Sequence, residues 1–526
     1  MKRILITSAL PYINGVKHLG NLVGSQLPAD LYARFMRAKG YEVAFICATD
    51  EHGTPAELAA KEKNTSTAEY CLEMWKIQKN LSDQFHLSFD FFGRSSSESN
   101  YKLTQDFAAT LKKEGLIKTV EEKQLYSQED GRFLPDRYVV GTCPECSYER
   151  ARGDQCENCT RQLQGAELIE PKSVLSGSSK LELRKTNHLY LLQSKLQEKL
   201  KEWINEKDNW PILATSIAKK WLTDGDGLQD RSITRDLEWG IPVKSNGITW
   251  EGMEDKVFYV WFDAPIAYIS ATVDWTKTTK KDPNEWKTWW LNDHGAEDVY
   301  YVQFMAKDNI PFHTLSFPAT LLGTKEQWKL VDYIKGFNWL TYEGGKFSTS
   351  MQRGLFMNDA IEIFPSDYWR WWLLSNAPES SDSDFTWKSF QSSINKDLAD
   401  VLGNFVSRLI KFSKSKFGDH IPVGSGYSDL EKNTIVEILK YFKAYEESMR
   451  IMEIRKSANL LRKIWSLGNE YLQASAPWTV VKKNPEEAGK IVRFGFNLLN
   501  FYSDISKPFI PVTSQKIKSC LNMDYN

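Results

Sequence analysis

The sequence has no long hydrophobic run. Nowhere do its 526 residues offer the roughly 20 consecutive apolar positions that a bilayer-spanning helix needs, so a membrane protein is not expected. Lys2-Arg3 ahead of Ile4 to Leu10 imitates the opening of a signal peptide, but Pro11, Asn14 and Gly15 cut the run short, and a buried first strand over Ile4-Leu5-Ile6 explains it better. Excess charge of one sign is also missing. With 67 basic and 68 acidic residues the formal net charge is −1, so any nucleic acid must be met by local patches and not by a global field. Cysteine is scarce: Cys47, Cys71 and Cys520, three of seven, are scattered, which fits a reducing, cytoplasmic compartment better than a disulfide framework. No GxGxxG occurs, which argues against a dinucleotide fold of the dehydrogenase kind, and no repeats or low-complexity tracts appear. What is present, 41% apolar and 26% charged residues, is ordinary for a globular chain of roughly three to four domains.

The pattern divides the chain into five stretches. Residues 1–117 alternate strand and helix: Ile4 to Ile6, a helical stripe of Leu22, Leu27, Leu31, Phe35 and Met36 closed by Gly40, a buried strand from Tyr41 to Cys47, a helix capped by Thr65 to Thr67, a strand from Ser88 to Phe92, and a helix from Glu98 that stops at Gly115. Such succession predicts an α/β, doubly wound parallel Rossmann-like domain with its ligand at the C-terminal strand ends. Residues 118–235 break the pattern as an insertion, and alternation returns over 236–325, with strands expected from Val257 to Phe262 and from Val299 to Phe304. Each of these strands would feed a turn, Asp263-Ala264-Pro265 and Lys307-Asp308-Asn309. Residues 326–385 form a linking segment whose Trp369, Trp371 and Trp372 read as core, and 386–526 take a helical period that predicts an all-α bundle, with one stripe through Ile394, Leu398, Leu402, Phe405 and Leu409.

Three groups of residues carry chemistry. Thr7 to Asn21, TSALPYINGVKHLGN, joins strand to helix, so the helix's free N–H groups and positive dipole end face whatever lies above the turn, which suits a phosphate. His18 and Asn21 share a face and can both donate, and Gly20 keeps a Cβ away. Far downstream, Gly344 to Ser350, GGKFSTS, is a second phosphate-type loop. Between 143 and 159, Cys143-Pro-Glu-Cys146 and Cys156-Glu-Asn-Cys159 can place four thiolates tetrahedrally around a structural zinc, a reading ranked above an iron–sulfur cluster or two redox pairs. Asp224-Gly-Asp226-Gly-Leu228 begins like a calcium loop, but Leu228 sits where a third ligand belongs, and an ordinary turn is expected.

HLGN and KFSTS resemble the HIGH and KMSKS signatures of class I aminoacyl-tRNA synthetases, and the order ALPYINGVKHLGN, ATDEHGTP, YVWFDAPIAY and AKDNIPFH resembles the methionyl family, from Ile4 to about Pro511. The resemblance implies methionine activation with ATP and Mg²⁺ and transfer to tRNA(Met). The runner-up readings are another class I synthetase and a catalytically impaired tRNA-binding or scaffold relative. It assigns His18, Asn21 and Lys346 to catalysis, and Gly20, Asp308, Ser348, Thr349 and Ser350 to ATP. A methionine slot would be formed by Ala9, Leu10, Tyr12, Trp261, Ala264, Pro265, Tyr268 and His313, with Asp50 for the ammonium and Phe317 closing it. Asn404, Arg408 and Trp478 correspond to the family's anticodon readers. The insertion is too small for the hydrolytic editing domain of the isoleucine, valine and leucine enzymes, and the ending soon after the bundle suggests a monomer. Two departures stand out: Asn21 replaces the second histidine of HIGH, and Thr349 replaces the second lysine of KMSKS, so one positive charge is missing from the loop.

Overall fold

The computed structural model describes residues 2–153, 156, 158–159, 161, 163–223, 227–279, 282–349 and 352–523. Five parallel strands, β1 (Arg3–Ser8), β2 (Glu42–Thr49), β3 (Phe91–Arg94), β4 (Val299–Ala306) and β5 (Tyr333–Phe337), form one sheet in the order β5-β4-β1-β2-β3. β1 is flanked by β2 and β4, whose connections leave in opposite directions, so the crevice beyond Ser8 and Ala306 is the switch point where an open α/β sheet binds its ligand. The strands are buried on both faces and read as continuous apolar runs, as a parallel sheet between helices must.

The insertion that separates β3 from β4 begins on a long antiparallel pair, Ile117–Ser127 against Leu181–Leu191. Beyond it a small sheet of Val139–Thr142, Ala151–Arg152 and Ile169–Ser173 carries the cysteines. Asp224 and Asp226 of the expected turn lie outside the described residues. C-terminal helices Asn404–Phe417, Asp429–Arg450, Ile454–Ser475, Pro485–Ser506 and Pro511–Cys520 make the bundle. The parallel sheet, cysteine insertion and terminal bundle are thus the architecture the pattern predicts.

One element differs. The strand expected from Val257 to Phe262 is only Val257–Phe258, and the chain then enters a helix, Val260–Thr279, that contains Asp263, Ala264 and Pro265 instead of turning there. The reason is burial: nearly every residue from Val260 to Thr276 is buried, so the helix is apolar all round and shows no 3.6-residue stripe to read. The strand expected at Ser88 also starts later, at Phe91, because Ser88 and Asp90 are engaged by Asp30 and Arg37.

The bundle is packed into the catalytic half and does not hang from it. Trp369, Trp371 and Trp372 are at most 1% exposed, and Trp371 meets Trp465 of the bundle at 4.9 Å between ring centroids. At the centre of this junction Arg370, fully buried, pairs with Asp30 at 2.7 Å and donates to the carbonyls of Phe85, Pro508 and Phe509. Burial pushes the Asp30 carboxyl up, but Arg34, Arg370 and hydrogen bonds from Ser88 outweigh it and hold it at about 2. Removing Arg370 orphans three carbonyls and half an ion pair, so Arg370→Ala should lower the unfolding free energy by at least about 3 kcal/mol in chemical denaturation. Because the Asp30 pKa is depressed, its contribution is complete above about pH 4 and should fade as the pH falls toward 2.

Candidate active site

The two anion loops meet. His18 begins the helix and Asn21 closes its first turn in a reciprocal cap: the Asn21 backbone N–H donates to His18 Nδ1 at 3.2 Å, and the His18 backbone N–H donates to Asn21 Oδ1 at 3.3 Å. Since Nδ1 accepts, the ring proton sits on Nε2, and the amide of Asn21 keeps its NH₂ to donate. Burial, helped by the charge of Lys17, pushes the His18 imidazole down to about 3, so it is neutral near pH 7. A π-helical turn, Leu22–Gln26, follows and turns Gly24, Ser25 and Gln26 toward the cavity.

On the other side, Leu340–Tyr342 and Gly345–Lys346 form a hairpin whose turn residues Glu343 and Gly344 both have positive φ, 45° and 73°. It delivers Phe347 onto the His18 ring, stacked at 4.7 Å and 23°. The chain beyond the loop then pairs with the HLGN segment: Leu19 N donates to Leu355 O at 3.0 Å, and Met357 N donates to Lys17 O at 2.8 Å. A cavity of about 320 Å³ is enclosed between the loops, lined by Ala9, Leu10, Tyr12, Lys17, His18, Gly20, Asn21, Asp308, Asn309 and Lys346 among others. Lys346 is exposed, its ammonium 5.5 Å above the Trp339 ring. Ser348 closes the loop through two backbone bonds with Arg353 at 2.9 Å, and Thr349 faces Gly15. Ser350 lies outside the described residues.

The residues expected around methionine adjoin this cavity but are not all on its wall. Asp50 is 5% exposed, and its Oδ1 has no hydrogen-bond partner. Burial, then the charge of Asp263, keep its carboxyl well above the ordinary range. Tyr12 is tied to it through the backbone and is 40% exposed at the rim. Trp261 meets the Tyr12 ring edge-on at 6.2 Å and stacks flat on Phe312 at 3.9 Å. Behind them Ala264, Pro265, Tyr268, His313 and Phe317 are buried, and the Tyr268 ring lies 6.3 Å from Phe317. His313 Nδ1 gives its proton to the Asn309 carbonyl at 2.9 Å, so Nε2 accepts from the Tyr268 hydroxyl, also at 2.9 Å. Burial pushes this imidazole down to about 4. The Tyr268 hydroxyl and the His313 ring thus satisfy one another in the buried layer behind Trp261. His52 and Asp263, buried and 2.7 Å apart, pin the Val260–Thr279 helix to the loop that carries Asp50, a link the sequence did not disclose because neither residue lies in a spacing pattern.

Two further groups assemble away from the cleft. The sulfurs of Cys143, Cys146, Cys156 and Cys159 all lie within 4.8 Å of one another, with Cys143–Cys159 at 3.8 Å and Cys146–Cys156 at 3.6 Å. Thiolates about 2.3 Å from a tetrahedral zinc stand about 3.8 Å apart, so the four sulfurs are close enough to one another to hold the ion. In the bundle, Arg408 lies over the Trp478 ring at 4.6 Å, and Asn404 and Arg408 contact Asn469 and Gln473 of the facing helix. Those partners repeat the i, i+4 spacing and were legible only as a second polar pair.

Comparison with known proteins bears on this geometry. The family "tRNA synthetases class I (M)" matches residues 4–410, and the "Anticodon binding domain of methionyl tRNA ligase" matches residues 421–526. The methionine–tRNA ligase of Dinoroseobacter shibae is 63% identical over 98% of this chain and 90% of its own length, and that of Ruegeria pomeroyi is 62% identical with the same coverage. The chain belongs to the methionyl-tRNA synthetase family. It is an aminoacyl-tRNA ligase. The methionyl-tRNA synthetase of Mycobacterium tuberculosis, solved with methionyl-adenylate, shares the fold at a TM-score of 0.78 and 20% identity, covering 100% of this chain and 94% of that one.

The position of Gly20 in this synthetase is tightly set. A Cβ there would fall 3.0 Å from His18 Nδ1 and 3.3 Å from Phe347, so Gly20→Ala must push the stack apart. ATP–pyrophosphate exchange should fall at least about tenfold, near 1.4 kcal/mol of barrier, with the melting temperature little changed.

Proposed function

We propose that this chain activates L-methionine with ATP, accompanied by Mg²⁺, and transfers the methionyl group from the adenylate to the 3′ adenosine of tRNA(Met). The observation that carries the reading is the shared cavity: His18 and Asn21 of one loop and Lys346 and Phe347 of the other, distant in sequence, frame one space, and buried Asp50, one of whose oxygens lacks a hydrogen bond, is bridged to Tyr12 on its wall. In the first step a methionine carboxylate oxygen bonds to the α-phosphorus, and the bond to pyrophosphate breaks. Charge builds on the phosphoryl oxygens, so the protein's part is positioned donors and cations. His18 Nε2 and the Asn21 amide donate at the α-phosphate, the helix end adds its dipole, and Lys346 with the loop hydroxyls of Ser348, Thr349 and Ser350 holds the outer phosphates. Asp308, on the cavity wall, takes the ribose hydroxyls.

The Asp50 oxygen without a partner is the place for the methionine ammonium, since a buried acceptor of this kind is costly until a cation meets it. The thioether enters among Ala9, Leu10, Tyr12, Trp261, Ala264, Pro265, Tyr268 and His313, where aromatic edges suit sulfur. Because these residues pack on one another, Tyr12 and Trp261 must move to admit it. Zinc, held by Cys143, Cys146, Cys156 and Cys159, fixes the two turns of the insertion and takes no part in the reaction. Asn404, Arg408 and Trp478 offer an amide, a guanidinium and a ring on one face, the equipment for reading unpaired anticodon bases.

ATP–pyrophosphate exchange run with each amino acid in turn should respond to methionine alone. Exchange with a different amino acid would show another class I specificity, and none at all with retained tRNA binding would show a non-catalytic relative. Lys346→Ala should lower the exchange rate at least about tenfold, and an unchanged rate would remove the loop from the mechanism. Tyr12→Ala should raise the KM for methionine strongly with the KM for ATP little changed, and the opposite split would reject the slot.

A further inference from the structure

The loop that lacks its second lysine faces a buried lysine that no signature assigns. Lys17 directly precedes His18 and is 7% exposed, yet it lines the cavity of about 320 Å³ with His18, Asn21 and Lys346. Among the described residues no carboxylate lies within ion-pair distance of its ammonium, whose hydrogen bond is to Asn14 Oδ1 at 3.3 Å. Asn14 in turn shares the wall of the adjoining cavity of about 540 Å³ with Gly15 and Thr349. A Cβ built on Gly15 stands 3.5 Å from the Thr349 methyl group, so the side chain at 349 points at the segment that carries Lys17. The backbone of Lys17 is fixed as well, its carbonyl accepting from Met357 just past the loop.

We propose that Lys17 is the second cation of the phosphate cradle, supplying from the HLGN side the positive charge that Thr349 does not supply from the loop. A buried ammonium with no carboxylate in ion-pair distance is unfavourable, and an anion in the cavity it lines would offset that cost. Lys17 shares the cavity wall with His18 and Asn21, and its charge acts on His18 and Asp50, between the proposed places of the α-phosphate and the amino acid. Burial pushes the ammonium down to about 7 against the pull of Asp50, and a triphosphate beside it would favour the charged form. During activation the methionine carboxylate oxygen bonds to the α-phosphorus, and pyrophosphate departs with the electrons of the broken P–O bond. No proton has to move, so Lys17 contributes as a fixed charge on the phosphoryl oxygens.

This inference rests on the proposed activation of methionine, and a double-mutant cycle separates the two. Lys17→Met and Lys17→Gln, the second keeping a polar chain in the same space, are measured with Lys17→Arg, each with and without Thr349→Lys, for methionine-dependent ATP–pyrophosphate exchange and melting temperature. Both neutral variants should lose at least about tenfold in kcat with methionine KM changed less than about threefold, and Lys17→Arg should retain more activity than either. Thr349→Lys should raise the rate at least about fivefold more in the Lys17→Met background than in the wild type, because it restores a lost charge only there. A loss confined to methionine KM would make Lys17 a counterion of Asp50, and an absence of extra recovery from Thr349→Lys would make it structural, and either result overturns the proposal. If the wild type exchanges with no amino acid, the activation reading fails, and Lys17 is then judged by titration with Mg·ATP: Lys17→Met should weaken binding at least about threefold, and an equal affinity would refute it.

Discussion

The site depends on a short backbone seam. Leu19 donates to the Leu355 carbonyl and the Lys17 carbonyl accepts from Met357, just past the second loop, while the His18 ring between them stacks on Phe347 and meets Phe356 edge-on. Neither loop is an anion site by itself: one is a helix end and the other an exposed hairpin. Joined, they face each other across one cavity, at the crevice where β1 and β4 part. The seam also fixes the tautomer of His18, because the same turn that caps the helix commits Nδ1 as acceptor.

Around the seam, charge is placed sparingly, as a chain of net charge −1 must place it if it is to meet a polyanion through a local patch. Lys17 and Lys346 lie at the cleft, where Asp308 is the one carboxylate on the wall among the described residues, and other carboxylates are paired in the interior: Glu51 with Arg94, Asp263 with His52, Asp30 with Arg370. Among the described residues Asp50 has no such ion-pair partner, and one oxygen of its buried carboxyl is left without a hydrogen bond. The last of those pairs also joins the bundle to the catalytic sheet, so the face bearing Arg408 and Trp478 is held in a fixed relation to the cleft.

Much of this could be read from residues alone. The strand–turn–helix at HLGN, the second loop, the paired CxxC turns and the terminal bundle each carry local signals of period, cap or spacing, and local signals survive without a fold. What escaped was set by long-range burial. The Val260–Thr279 helix looks like a strand followed by a turn because it is apolar on every side. Lys17 looks like an ordinary surface lysine in the sequence, since only the folded cleft shows that it is 7% exposed. The same holds for Asn469 and Gln473, whose meaning depends on facing Asn404 and Arg408 across two helices. Conversely, the stack of Trp261 on Phe312 is something no motif could indicate, because a motif names residues and not the rotamers they adopt.

A crystal structure with a hydrolysis-resistant methionyl-adenylate analogue tests the central claim most directly. The account predicts the phosphate-like group within hydrogen-bond distance of His18 and Asn21, the ammonium on Asp50, the ribose at Asp308, and the side chain in a slot opened by Tyr12 and Trp261. An analogue seated outside the space between the two loops, or an ammonium that leaves Asp50 unmet, would contradict it.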